Sequence, residues 1–94
     1  MGRASNKLTA VRRQIDRLDE KMLKLVSKRA RLALKIGRIK KRKKWPVYDP
    51  KRETFVLRGV RQANSGPLSD AAVSKIFHAI LAQCRRRERS GKKR

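Results

Sequence analysis

Residues 8–40 read LTAVRRQIDRLDEKMLKLVSKRARLALKIGRIK. Apolar residues fall at Leu8, Val11, Ile15, Leu18, Met22 and Leu25, then at Leu32, Ile36 and Ile39, in steps of three and four. That spacing belongs to a helix burying one continuous seam, sustained here over more than about four heptads. One seam position breaks the pattern: the register between Leu25 and Leu32 lands on Arg29. A guanidinium in a buried seam is costly unless an anion meets it. The positions a helical turn away are Leu25, Val26, Leu32 and Ala33, so no acid stands within reach on the same helix. A distant acid or a bound anion must complete Arg29.

Working outward, residues 1–6 are expected to be a disordered polar lead, with Ser5 or Asn6 as the first cap. The helix is expected to end near Arg42. Gly37 inside it costs about 1 kcal/mol relative to Ala. It either admits a close backbone or ligand, or is simply tolerated. The basic run Lys40–Lys44 suits a helix C-terminus, and Trp45-Pro46 breaks the helix. Asp49-Pro50 reads as cap and first residue of a second helix over 50–64, with Phe55, Val56, Val60 and Ala63 on or near one face. Asn64-Ser65-Gly66-Pro67 is a stop. Ser69 caps a third helix to about residue 89, with the stripe Val73, Ile76, Phe77, Ile80, Leu81 and Cys84. Glu88 takes the next place on that stripe. Residues 90–94 are expected to be a disordered basic tail. The fold class is all-α: three helices, the first very long, in one domain over 7–89.

A chain of 94 residues buries limited apolar area, so a long exposed seam calls for a partner chain. No apolar run reaches the length of a membrane span or a secretory signal, and a cytoplasmic location is expected. With no room for a second domain, feedback control is expected to need a partner protein or to be absent. The lone Cys84 excludes an intrachain disulfide. The lone His78, with no CxxC spacing, excludes a His-rich metal cluster. The formal charge is +22, from 29 Lys and Arg against seven acids. It serves either solubility or an anionic partner, nucleic acid being the obvious one. Arg85, Arg86, Arg87 and Arg89 read as a solvated face, and His78 as a surface or boundary residue.

The charged residues that interrupt apolar stripes are the candidates for chemistry. Lys40 follows Arg29 by eleven residues, so the two nearly eclipse one another about 16 Å apart along the axis. Asp49, Arg52 and Glu53 open the second helix, and Glu88 extends the third helix's stripe. The pattern Val11-Arg12-Arg13-Gln14-Ile15-Asp16-Arg17-Leu18-Asp19, then Arg29, Gly37-Arg38-Ile39-Lys40 and Pro46-Val47-Tyr48-Asp49-Pro50-Lys51-Arg52-Glu53, resembles the all-helical, AroQ-class chorismate mutases. The third helix, from Ile76-Phe77 through Cys84 to Glu88, is similar too. The resemblance covers about residues 8–89.

That resemblance implies an intertwined homodimer whose two active sites each draw on both chains. The helix rise agrees with it. Arg12 and Lys40 lie about 42 Å apart along one helix, too far for one small substrate. An antiparallel partner would bring its Arg12 near Arg29 and Lys40. The resemblance further implies that Arg29, Arg52 and the partner's Arg12 hold the two carboxylates of chorismate. Lys40 would contact a carboxylate and the ether oxygen. Glu53, with the backbone near Asp49, would hold the ring hydroxyl, and Glu88 would face the ether oxygen from the other side. The implied reaction is the intramolecular [3,3] rearrangement to prephenate, which requires no cofactor or metal. Two positions depart from a common family pattern. Glu88 stands where some members carry Gln, so it must be protonated to donate; activity is then expected to fall as pH rises. Cys84 stands where Ser is frequent, and it either contacts substrate or is a small buried residue. Two other readings stand beside this one: a basic helical nucleic-acid-binding module, and an isochorismate-pyruvate lyase on the same fold.

Overall fold

The computed structural model describes residues 2–90, with side chains from Ser5 onward, and consists of three helices. Helix α1 spans Gly2–Lys43, α2 spans Pro50–Ala63 and α3 spans Asp70–Arg89. Of the expected tail at 90–94, Ser90 caps α3 with its amide on the Arg86 carbonyl at 3.2 Å, and residues 91–94 lie outside the described residues. Helix α1 is already helical at Gly2, ahead of the expected cap at Ser5 or Asn6. Once a long helix is nucleated, each added residue gains a backbone bond, and nothing between positions 2 and 6 breaks the run. The Thr9 hydroxyl donates to the Ser5 carbonyl at 2.9 Å inside that first stretch.

The two shorter helices start where their caps place them. The Asp49 carboxylate accepts from the Arg52 amide at 3.1 Å, and the Ser69 hydroxyl accepts from the Ala72 amide at 3.1 Å. The end of α1 is a Schellman turn, with the Lys44 amide on the Lys41 carbonyl (3.2 Å) and the Trp45 amide on the Lys40 carbonyl (2.9 Å). Lys44 takes the left-handed residue of that turn, φ 59°, where glycine is usual. The turn reverses the chain and carries residues 45–49 back beside the last turn of α1.

Helix α3 is the middle element. It packs on α1 along one side and on α2 along the other, while α1 and α2 do not pack together among the described residues. The face of α1 turned to α3 is built from small residues, Ala30, Ala33 and Gly37. At Gly37 the helices come so close that a Cβ would stand 2.8 Å from the Cα of Glu88. Gly37 therefore admits a backbone. On α2 the buried residue is Leu57, while the expected Phe55 and Ala63 face outward. The reason is helical phase: Glu53, Val56, Leu57, Val60 and Arg61 share one face, and Arg61 reaches across it to the Ser74 hydroxyl at 3.3 Å. On α3, Leu81 and Cys84 are buried but Ile76 is 47% exposed.

The Cα trace measures 62 × 30 × 14 Å. With α3 between α1 and α2, and those two out of contact, the three helices form a single layer. A single layer cannot enclose a core. Among the described residues the buried apolar side chains are Ala33, Leu57, Leu81 and Cys84, and none is fully enclosed. The α1 seam from Leu8 to Ile39 stays 41–67% exposed. No helix is long and apolar enough to cross a membrane among the described residues.

Candidate active site

A cleft of about 450 Å³ opens between the C-terminal half of α1, the start of α2 and the end of α3. That volume is in the range of small-ligand sites. Its apolar walls are Leu32, Ala33 and Ile36 from α1, Val56 from α2 and Leu81 from α3. Seven of the residues singled out from the sequence line it together: Arg29, Lys40, Asp49, Arg52, Glu53, Cys84 and Glu88. They come from segments up to about sixty positions apart, and only the fold joins them. The C-terminal half of the seam is thus a cleft wall, which is why Leu32 and Ile36 alternate there with Arg29 and Lys40.

Lys40 is held on two sides. Its ammonium donates to the Val47 carbonyl at 2.7 Å and to the Glu88 carboxylate at 2.9 Å. The Schellman turn supplies the first contact, since it brings Val47 back over α1. The Gly37 crossing supplies the second, since it sets the backbone of Glu88 against α1 one turn before Lys40. Both side chains are largely buried. An ion pair in such surroundings is held more firmly than one in water.

Glu53 is held as well. Arg85 of α3 forms an ion pair with its Oε2. Arg85 also lies over the Tyr48 ring, 5.0 Å from its centre. The Glu53 hydrogen bond is the largest influence on Arg85 and raises the affinity of its guanidinium for the proton above the ordinary arginine value, against a smaller lowering by burial. Arg85 is therefore no part of a solvated face, as the arginine run suggested. Its position four residues after the buried Leu81 was the available signal, because that spacing turns it toward α2. Arg86, Arg87 and Arg89 do face outward.

Asp49 serves as a cap, with Oδ1 occupied by the Arg52 amide. Arg52 stacks over Phe55, 5.3 Å from the ring centre. Cys84 is a free, buried thiol in the cleft wall. Arg12 is not brought to the cleft of its own chain: it precedes Arg29 by 17 positions, about 26 Å along the helix. His78 is exposed on α3.

A family model described as chorismate mutase type II matches residues 11–89. The bifunctional chorismate mutase/prephenate dehydratase of Pseudomonas aeruginosa is 42% identical over 84 residues, which are 84% of this chain and 23% of that protein. The chain thus spans about a quarter of the length of that relative. A protein of Methanocaldococcus jannaschii named chorismate mutase is 38% identical over 76 residues, 80% of this chain and 77% of that one. Among solved structures, the chorismate mutase of Helicobacter pylori in complex with prephenate superposes with a TM-score of 0.84 at 30% identity, covering 94% of this chain and 96% of that one.

Proposed function

The chain belongs to the type II chorismate mutase family, and on that premise we propose that it converts chorismate to prephenate, in a homodimer whose two clefts are each completed by the other chain. The observation that carries this reading is the single cleft gathering Arg29, Lys40, Arg52, Glu53 and Glu88 around an apolar wall. A dianionic substrate of compact shape suits it. Arg29 and Arg52, with the partner's Arg12, bind the two carboxylates. Glu53 accepts the ring hydroxyl beside the capped turn at Asp49. Cys84 packs against the ring from α3.

The reaction rearranges bonds within one molecule. The enzyme's work is to hold the compact diaxial conformer and to stabilise the charge that develops as the C–O bond breaks. Lys40 and a protonated Glu88 act on the ether oxygen. In the ligand-free cleft these two groups face one another at 2.9 Å. An oxygen held by hydrogen bonds from both needs them about 5–6 Å apart, so binding parts the pair. Fixed contacts from Val47 and from the Gly37 crossing keep each group in place while they separate.

The homodimer is supported by the single-layer architecture and the open seam. Burying that seam against a second copy supplies the missing core. A C2 axis would also carry Arg12 of the partner subunit to the far end of the cleft.

The test is an assay of the purified chain that follows chorismate loss and prephenate formation, with pyruvate release from isochorismate as the lyase control. Prephenate formation that Arg29→Ala abolishes is the expected result. An inactive chain, or pyruvate as the main product, overturns the reading.

One observation favours a second, binding role. The C-terminal ends of α1 and α3 meet and frame a groove of about 560 Å³ with Lys41, Lys44, Trp45 and Arg89 on its walls. An exposed ring among cations suits single-stranded nucleic acid. Titration of an oligonucleotide, followed by fluorescence of Trp45, the only tryptophan, tests this. Replacing Lys41, Lys43 and Lys44 by Gln must weaken binding more than the same change at Lys21, Lys24 and Lys28; an equal loss reduces the effect to net charge.

A further inference from the structure

We propose that Arg85 is a positioning and charge-balancing residue for the substrate, acting through Glu53. This rests on the mutase reading above. Among the residues lining the cleft, Arg29, Lys40 and Arg52 stand against Asp49, Glu53 and Glu88. With Glu88 protonated, as the mutase reading requires, the lining carries one net positive charge, and the partner's Arg12 would bring it to two, the match for a substrate with two carboxylates. Within that total Glu53 is still a carboxylate set toward a dianion, and Arg85 is the cation paired with it.

Arg85 does not line the cleft; it stands behind Glu53, on the α3 side. Its guanidinium binds one carboxylate oxygen, Oε2, and makes no hydrogen bond to Oε1 of this cleft-lining residue. The arginine is itself fixed from a third direction by the Tyr48 ring, in the loop that follows α1. It thus ties α3, α2 and the 44–49 loop at one point. Without it, Glu53 is an uncompensated carboxylate facing a dianion, free to turn among rotamers. With it, Glu53 offers one directed acceptor to the ring hydroxyl, and its repulsion of the substrate is cancelled. A planar guanidinium suits this role because it donates to a carboxylate while its face lies on an aromatic ring.

The experiment is steady-state kinetics of the full chain, Arg85→Leu, Arg85→Lys, Glu53→Gln and the double variant Arg85→Leu/Glu53→Gln, with thermal unfolding alongside. The expected result for Arg85→Leu is a rise in KM of roughly tenfold or more with a smaller change in kcat, as befits one charge-assisted contact acting on binding. Arg85→Lys recovers most of it. In the Glu53→Gln background Arg85→Leu adds little, because the residue through which it acts is already neutral. A wild-type chain without mutase activity overturns the function and this role together. An active wild type with unchanged KM in Arg85→Leu overturns the role alone. So does a loss of the same size with and without Glu53, or a loss that tracks only melting temperature.

Discussion

The backbone of Glu88 occupies the space in which a side chain at Gly37 would begin. A Cβ there would stand 2.8 Å from the Glu88 Cα and 2.9 Å from its carbonyl carbon, and closer still to the oxygen. In an unobstructed helix Gly→Ala is stabilising by about 1 kcal/mol. At Gly37 the sign reverses, because backbone cannot yield as a side chain can. Gly37→Ala is expected to destabilise by roughly 1–3 kcal/mol, the usual range for overpacking. It should also lower kcat by moving Glu88 off Lys40. Thermal unfolding and kinetics on the same sample check both; a more stable and fully active Gly37→Ala would show that α3 can shift freely.

Lys40 and Glu88 are expected to fail differently. In the proposed reaction Lys40→Met takes a cation away from the breaking bond and leaves Glu88 without its partner, so kcat should fall about 10²–10³-fold, as for other donors to developing negative charge. Glu88→Gln keeps a donor that needs no added proton. It should keep kcat where Glu88→Leu, which has no donor, loses it about 10²-fold or more. Full kcat in Glu88→Leu would remove Glu88 from the chemistry.

The proposed sharing of sites between two chains can be tested by complementation. Arg12→Ala and Arg29→Ala should each be inactive alone. A mixed dimer holds one cleft with both defects and one with neither. Random exchange yields half mixed dimers, so the equimolar mixture should regain about a quarter of wild-type activity for a C2 assembly. No recovery after verified subunit exchange would place Arg12 outside the site.

Lys44 sits at φ 59° in the turn that ends α1. A residue with a Cβ loses about 1–2 kcal/mol in that region. Lys44→Gly is therefore expected to stabilise the fold, by roughly 1 kcal/mol after the greater freedom of glycine in the unfolded chain is set against it. Chemical denaturation reads the change directly; destabilisation would mean that the lysine side chain is itself held.

The proton affinity of Arg85 is raised by Glu53. A cation raised on folding contributes stability that is complete below its unfolded value and lost only as pH passes its folded one. Both lie in strongly alkaline solution. The stability lost in Arg85→Leu should accordingly be the same at about pH 7 and about pH 9. A loss that shrinks across that interval would point to a different partner.

The three helices were legible because each carries its own punctuation: the Trp45-Pro46 break, the Asp49 and Ser69 caps, and stripes of period 3.6. Arg29, Lys40 and Glu88 were legible for the opposite reason, as charges standing where that period calls for hydrocarbon. Arg85 was hidden among arginines, since a run of identical residues erases the contrast by which periodicity is read. Its partner Glu53 lies 32 positions away, and only packing reveals the pairing. The start of α1 was misread because a good cap at Ser5 or Asn6 is permission to begin a helix, and a helix nucleated further on can run past it. Phe55 was grouped with Val56, Val60 and Ala63 on one apolar face, whereas phase with Glu53 and Leu57 decides which face α2 turns inward.

The open seam of α1 bears on how such a chain would behave as its surroundings change. In the proposed dimer the core is not closed, nor the cleft complete, until two copies meet. Ligand that binds only the assembled form then acts as a fastener between them, worth about 2.7 kcal/mol at a hundredfold excess over its dissociation constant. Substrate supply and protein abundance would push the same equilibrium. Dilution and starvation would be one stress, felt by the enzyme as the loss of its other half.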